Sequence, residues 1–183
     1  MRAVLAGLAL LALAGCGGAA AERGSRPVPD VLPGLASSQR TLDEQALAKD
    51  SYRPNELARV LEQAEYESGA EREFAGHSRT FEHVVARRLR FASPAGADRY
   101  LGWIRTHPDD FLGRSRSEQP LPLGESALLF SLARCGSCRK EQPTFLAAWR
   151  ERSTVISLLA AGPGVNRVRF ARLAGEVDAR MAA

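Results

Sequence analysis

The chain has 183 residues, 45% of them hydrophobic and 25% charged, with a formal net charge of +4 at pH 7. That composition excludes a disordered or collagen-like chain, and the length can bury a full core without metal or disulfide support. Arg greatly outnumbers Lys and is dispersed among Glu and Asp rather than gathered into a run, so the basic balance does not point to nucleic acid.

The first residues carry one cation, Arg2, then an uncharged run of Ala, Val, Leu and Gly that closes on Leu13-Ala14-Gly15-Cys16. A stretch of about a dozen apolar residues is too short to cross a hydrocarbon core, which needs ~20, and its small residues suit a peptidase pocket. It therefore reads as a signal peptide over residues 1–15. The last four residues resemble the lipobox of bacterial lipoprotein precursors. The resemblance implies that Cys16 takes a diacylglyceryl group on its thiol and becomes the acylated N-terminus, with palmitate-type chains. At ~0.8 kcal/mol per buried methylene, two or three chains hold a protein almost permanently. The expected location is the extracytoplasmic face of a cell membrane, lipid-anchored through Cys16.

Residues 16–38, rich in Ala, Gly, Ser and Pro with Pro27, Pro29 and Pro33 closely spaced, read as the lipidated cysteine and a flexible linker. Residues 39–183 read as one domain. Its first element is a short amphipathic helix over Thr41–Lys49, with Leu42, Ala46 and Leu47 on one face. A second helix starts at Pro54 and carries Leu57, Val60, Leu61 and Ala64. The period then changes to two. Tyr66–Phe74 and Phe81–Phe91 are predicted to pair as a hairpin joined at Gly76-His77-Ser78. On the second strand Phe81, His83, Val85, Arg87, Leu89 and Phe91 share a face, apolar but for two polar interruptions.

Ser93 and Pro94 signal the N-cap and first position of a helix carrying Ala97, Tyr100, Leu101 and Ile104 to His107-Pro108. Asp109–Pro122 reads as a loop. Ala127–Ala133, Thr144–Arg150 and Thr154–Ala160 follow as strands, the last two joined by Glu151-Arg152-Ser153 and apolar on both faces, which places that hairpin near the centre of a sheet covered on both sides. A closing helix, Val165–Met181, is expected to pack through Val168, Ala171, the Arg172 stem, Gly175 and Ala179. The order predicts an α+β sandwich, an antiparallel sheet of about five or more strands with helices on it.

The stretch Ala127–Pro143, with Cys135-Gly136-Ser137-Cys138 followed by Arg139, Lys140, Glu141 and Pro143, resembles the active-site stretch of membrane-tethered thioredoxin-like proteins. That resemblance implies a thiol-disulfide oxidoreductase in which Cys135 attacks and Cys138 resolves. Against it stand the short chain after Cys138, Arg134 in place of the usual aromatic residue, and a following segment that alternates like strands rather than forming a helix. The other reading makes Gly136-Ser137 a two-residue turn with Cys135 and Cys138 opposite each other as a disulfide staple.

Taken together, Gly69–Phe74, Val84–Phe91, Pro94–Tyr100, Trp149–Leu158 and Gly175–Met181 resemble a set of uncharacterised bacterial lipoproteins similar to Mog1/PsbP/LpqN-type sandwich domains. The resemblance implies the sandwich fold and no activity. No Gly-rich phosphate loop, Gly-x-Ser-x-Gly elbow or His-Glu-x-x-His occurs, so no cofactor is expected. His77, His83 and His107 lack ligand spacing for a metal. His83 and Arg87 either line a pocket with Tyr100 or Trp103 or, as the reading favours, lie where the sheet meets solvent, and Trp103 and Trp149 read as core or groove aromatics. The expected class is a binding or interaction module of the cell envelope, whose partner is another envelope protein or a small ligand, with no nucleic acid.

Overall fold

The computed structural model describes residues 28–32, 34–76, 78–132 and 142–181. Among these residues, seven antiparallel strands form one open sheet, and five helices pack on it as an α+β sandwich. In chain order the elements are β1 (Ala36–Leu42), α1 (Glu44–Lys49), α2 (Pro54–Gln63), β2 (Tyr66–Ala75), β3 (His83–Phe91), α3 (Pro94–Thr106), α4 (Asp109–Leu112), β4 (Ser115–Ser117), β5 (Ser126–Leu132), β6 (Thr144–Glu151), β7 (Thr154–Ala161) and α5 (Arg167–Met181). The sheet order is β1-β2-β3-β7-β6-β5-β4. The chain runs in from one edge, crosses through α3 and α4 to the other, and meanders back to the centre. No described helix is long and apolar enough to cross a membrane.

Period-two alternation puts two cores on the two faces of the sheet. One holds Leu89, Phe91, Leu146, Ala148 and Val155 from strands under Leu47, Leu57, Leu61, Tyr100, Trp103 and Ile104 from α1, α2 and α3. The other holds Val84, Ala86, Ala147, Trp149, Ile156 and Leu158 under Phe170, Leu173, Ala174 and Val177 of α5. The expected β6–β7 hairpin is present at the centre of the sheet, with Phe145 opposite Ala160, Ala147 opposite Leu158 and Trp149 opposite Ile156. Arg152 turns the corner with φ of 54°.

α3 begins as the sequence predicts, with the Ser93 side chain accepting from the Gly96 amide at 3.1 Å and Pro94 in the first turn. Four expectations are corrected. Thr41 and Leu42 end a strand rather than begin a helix; α1 starts only after Asp43, whose side chain caps the Ala46 amide at 2.6 Å. The polar strand β1 was hidden inside the linker and that helix because Leu42 alone among its residues is buried. The supposed loop Asp109–Pro122 contains α4 and β4. α5 packs through Phe170, Leu173, Ala174, Val177 and Met181, and Val168 of the expected face is 71% exposed.

Candidate polar pocket between the helices and the sheet

The apolar face of β3 carries one charge inward. Arg87 lies between Val85 and Leu89, directly opposite Glu71 on β2, and its side chain is only 16% exposed. A guanidinium so enclosed needs partners on every side. Its Nε reaches Glu71 Oε2 at 2.5 Å and its Nη2 reaches Asp50 Oδ2, at the end of α1, at 3.1 Å. Arg40 on β1 closes the ring from outside, with Nε 2.7 Å from Glu71 Oε1 and Nη2 2.5 Å from Asp50 Oδ2. Strands β1, β2 and β3 are thereby fastened to α1 through four side chains.

Electrostatics in the ring follow from that geometry. Burial alone would raise the Glu71 carboxyl, but the hydrogen bonds and charges of Arg40 and Arg87 outweigh it and hold it below the ordinary carboxylate range. Arg40 is pushed the other way, chiefly by its hydrogen bond to Glu71.

Beside the ring a second cluster forms where α4 meets the segment between α1 and α2. The Asp110 carboxylate, its side chain 2% exposed, accepts from Ser51 Oγ and from Arg53 Nη1. Ser51 Oγ also accepts the Arg53 amide at 2.9 Å. Over both clusters sits an aromatic row: Phe91 against Tyr100 at 5.4 Å between ring centroids, Tyr100 against Trp103 at 6.3 Å, Trp103 against His107 at 5.1 Å, and Phe111 edge-on to Trp103 at 6.1 Å. Tyr100 is fully buried, and burial pushes its hydroxyl up to about 12.

These groups surround a small pocket. Leu47 and Leu57 wall it with Asp50, Ser51, Arg87, Tyr100, Trp103, Asp110 and Phe111, and it is partly open to solvent. Its cavity volume is about 10 Å³, room for roughly one water molecule. Trp103 is 6% exposed, and its Nε1 is buried with no hydrogen-bond partner among the described residues. A buried indole N–H without an acceptor costs free energy, so such a group calls for an explanation.

Of the residues singled out in the sequence, Arg87, Tyr100 and Trp103 come together here, which is the pocket reading for Arg87. His83 does not join them. It lies near the start of β3, part-exposed, with Nε2 2.8 Å from Glu73 Oε1. His107 Nδ1 lies 2.9 Å from Thr106 Oγ1 and 3.2 Å from the Trp103 carbonyl. Trp149 is fully buried in the other core, where its Nε1 donates to Asp178 Oδ1 at 2.7 Å. Cys16, His77, Cys135 and Cys138 lie outside the described residues. The strand β6, antiparallel to β5, stands where the thioredoxin-like alternative requires a helix after the cysteines.

Asp50, Ser51, Glu71 and Asp110 were not singled out from sequence. One signal pointed to Glu71: a cation on an otherwise apolar strand face needs a carboxylate across the hairpin. Its identity depends on a register that the expected turn at Gly76-His77-Ser78 did not fix.

No protein-family model matches the chain, and no curated protein matches it. Among solved structures it is similar to the extracellular domain of PknH from Mycobacterium tuberculosis, at 10% sequence identity and a TM-score of 0.47, over 80% of this chain and 79% of that one.

Proposed function

We propose that the chain is a lipid-anchored, extracytoplasmic binding module of a bacterial envelope, held to the membrane by acyl chains on Cys16 and engaging its ligand at the pocket between α1, α3, α4 and β3. The observation that carries the binding reading is the pocket itself, where a buried indole N–H without an acceptor stands beside charged groups on an aromatic wall. The Leu13-Ala14-Gly15-Cys16 run supports the anchor. The resemblance to lipoproteins with Mog1/PsbP/LpqN-like sandwiches supports the anchor and brings no activity with it. Cys135 and Cys138 are read as a disulfide staple in the connection between β5 and β6.

The test uses the full chain purified from membranes. Mass spectrometry should find Cys16 as an acylated N-terminus, and Cys16→Ser should release the protein from the membrane. The small-molecule fraction of the envelope should raise the melting temperature of the wild type and not that of Trp103→Phe, which keeps the ring and removes the donor. Insulin should not be reduced by the same preparation. Unchanged attachment of Cys16→Ser overturns the anchor, and no stabilisation, or equal stabilisation of Trp103→Phe, overturns the binding reading.

A further inference from the structure

On the face of the sheet opposite the pocket, α5 is tied to β6 through a pair of carboxyl groups. Asp178 of α5 accepts the indole N–H of the fully buried Trp149 at 2.7 Å. Glu151, two residues further along β6, stands on the same side of the strand as Trp149, and its carboxyl is hydrogen-bonded to Asp178. Two ionised carboxylates cannot bond to each other, since each accepts and neither donates. The bond between Glu151 and Asp178 therefore contains a proton. Asp178 already accepts from the indole, which suits it to accept a second time, so the proton sits on Glu151.

The charges around the pair come from three other directions. Arg88 of β3 attracts the ionised form of Glu151, and Glu125 repels it. Glu125 is held beside the end of β6 by Arg150, whose carbonyl accepts the Glu125 amide at 2.8 Å and whose Nη1 pairs with the Glu125 carboxylate. Arg180, further along α5, donates to the Asp30 carbonyl. Burial, the hydrogen bond to Asp178 and the charge of Asp178 together outweigh Arg88 and hold the Glu151 carboxyl above its ordinary 4.5. The same end of α5 buries Val177 and Met181 in the core that contains Trp149.

We propose that Glu151 and Asp178 form a proton-operated latch: the shared proton fastens the last turns of α5 to β6, and its release to water leaves two carboxylates facing each other and loosens that end of the helix. The folded chain binds the Glu151 proton more tightly than the unfolded chain does. The contribution of the latch is therefore full below 4.5 and is lost as pH rises through the raised value, the reverse of Glu71.

The test uses the ¹⁵N-labelled, detergent-solubilised full chain, whose two tryptophans give two indole N–H signals that Trp103→Phe assigns. Between about pH 4 and about pH 8 the Trp149 signal should shift with a midpoint above 4.5. In Glu151→Gln a neutral amide donates to Asp178 at every pH, and the shift in that window should vanish. In Asp178→Asn the anion facing Glu151 is gone, and the midpoint should fall. After correction for intrinsic rates, the amides of Ala174–Met181 should exchange about threefold or more faster in the wild type than in Glu151→Gln at about pH 8, and equally at about pH 4. The inference is overturned if the Trp149 signal does not shift in the wild type, or shifts with the wild-type midpoint in Glu151→Gln. It is also overturned if α5 exchanges alike in the two proteins at both pH values.

Discussion

Glu71 answers two arginines with one carboxylate, and that economy makes it the residue on which the polar ring depends. Its side chain is 7% exposed, and Arg87 beside it is 16% exposed, so removing the carboxylate strands a guanidinium that water cannot fully reach. Arg40, at 48%, is better hydrated and loses less. Glu71→Gln should therefore destabilise the protein by about 2–3 kcal/mol at pH 7, below the full cost of breaking a buried pair because Asp50 still serves both arginines. The pH dependence has a definite sign. The Glu71 carboxyl is lowered from its ordinary 4.5 in the folded chain, so its contribution is present above 4.5 and is lost as pH falls through the lowered value. Urea unfolding from pH 7 to pH 3 should show a shallower acid limb for Glu71→Gln than for the wild type; equal limbs would remove Glu71 from the acid transition.

Between elements, two glycines of α3 separate local propensity from packing. Alanine is favoured over glycine inside a helix by about 1 kcal/mol. At Gly102 nothing lies within 4 Å of where a Cβ would stand, so Gly102→Ala should gain stability of about that size. At Gly96 the same Cβ would stand 2.1 Å from the Ala64 carbonyl oxygen, at the C-cap of α2, and backbone must move to admit it. Overpacking of that kind costs about 1–3 kcal/mol and outweighs the propensity gain. Thermal melts of the two variants should move in opposite directions, and a stabilised Gly96→Ala would show that α2 and α3 are not packed this closely. Either glycine in isolation reads as a helix defect. Legible in the sequence was α3 itself, because Ser93, Pro94 and the apolar spacing all agree. Illegible was β1, whose exposed Ser37, Ser38, Gln39 and Arg40 give no period-two contrast on either face. In α5 the helix was legible and its buried face was not, because Ala and Gly spacing competed with the larger Phe170, Leu173 and Val177, which prevail by the area they bury.

At the scale of the molecule, the packed core takes in residues before residue 39. Composition assigned residues 16–38 to a spacer because Pro, Gly, Ser and Ala dominate there, and a few isolated apolar residues carry no periodicity. Yet Val28 is 0% and Val31 3% exposed, and both join the core formed by α5 and the sheet, with Leu32 and Leu35 packed against it. The Arg180 guanidinium at the end of α5 donates to the Asp30 carbonyl, so the segment is also tied to the last helix by a polar contact. Chain-distant burial of this kind has no local signature, just as the partners of Arg87 had none until the strands were in register. A fully buried valine contributes about 1.5–3 kcal/mol relative to exposure, so losing the burial of Val28 and Val31 should lower the stability of the folded chain. A chain beginning at Gly34 should unfold at lower urea concentration than one beginning at Val28, and Val28→Ser in the longer chain should reproduce much of the difference. Identical midpoints for the two chains would return residues 28–33 to the spacer.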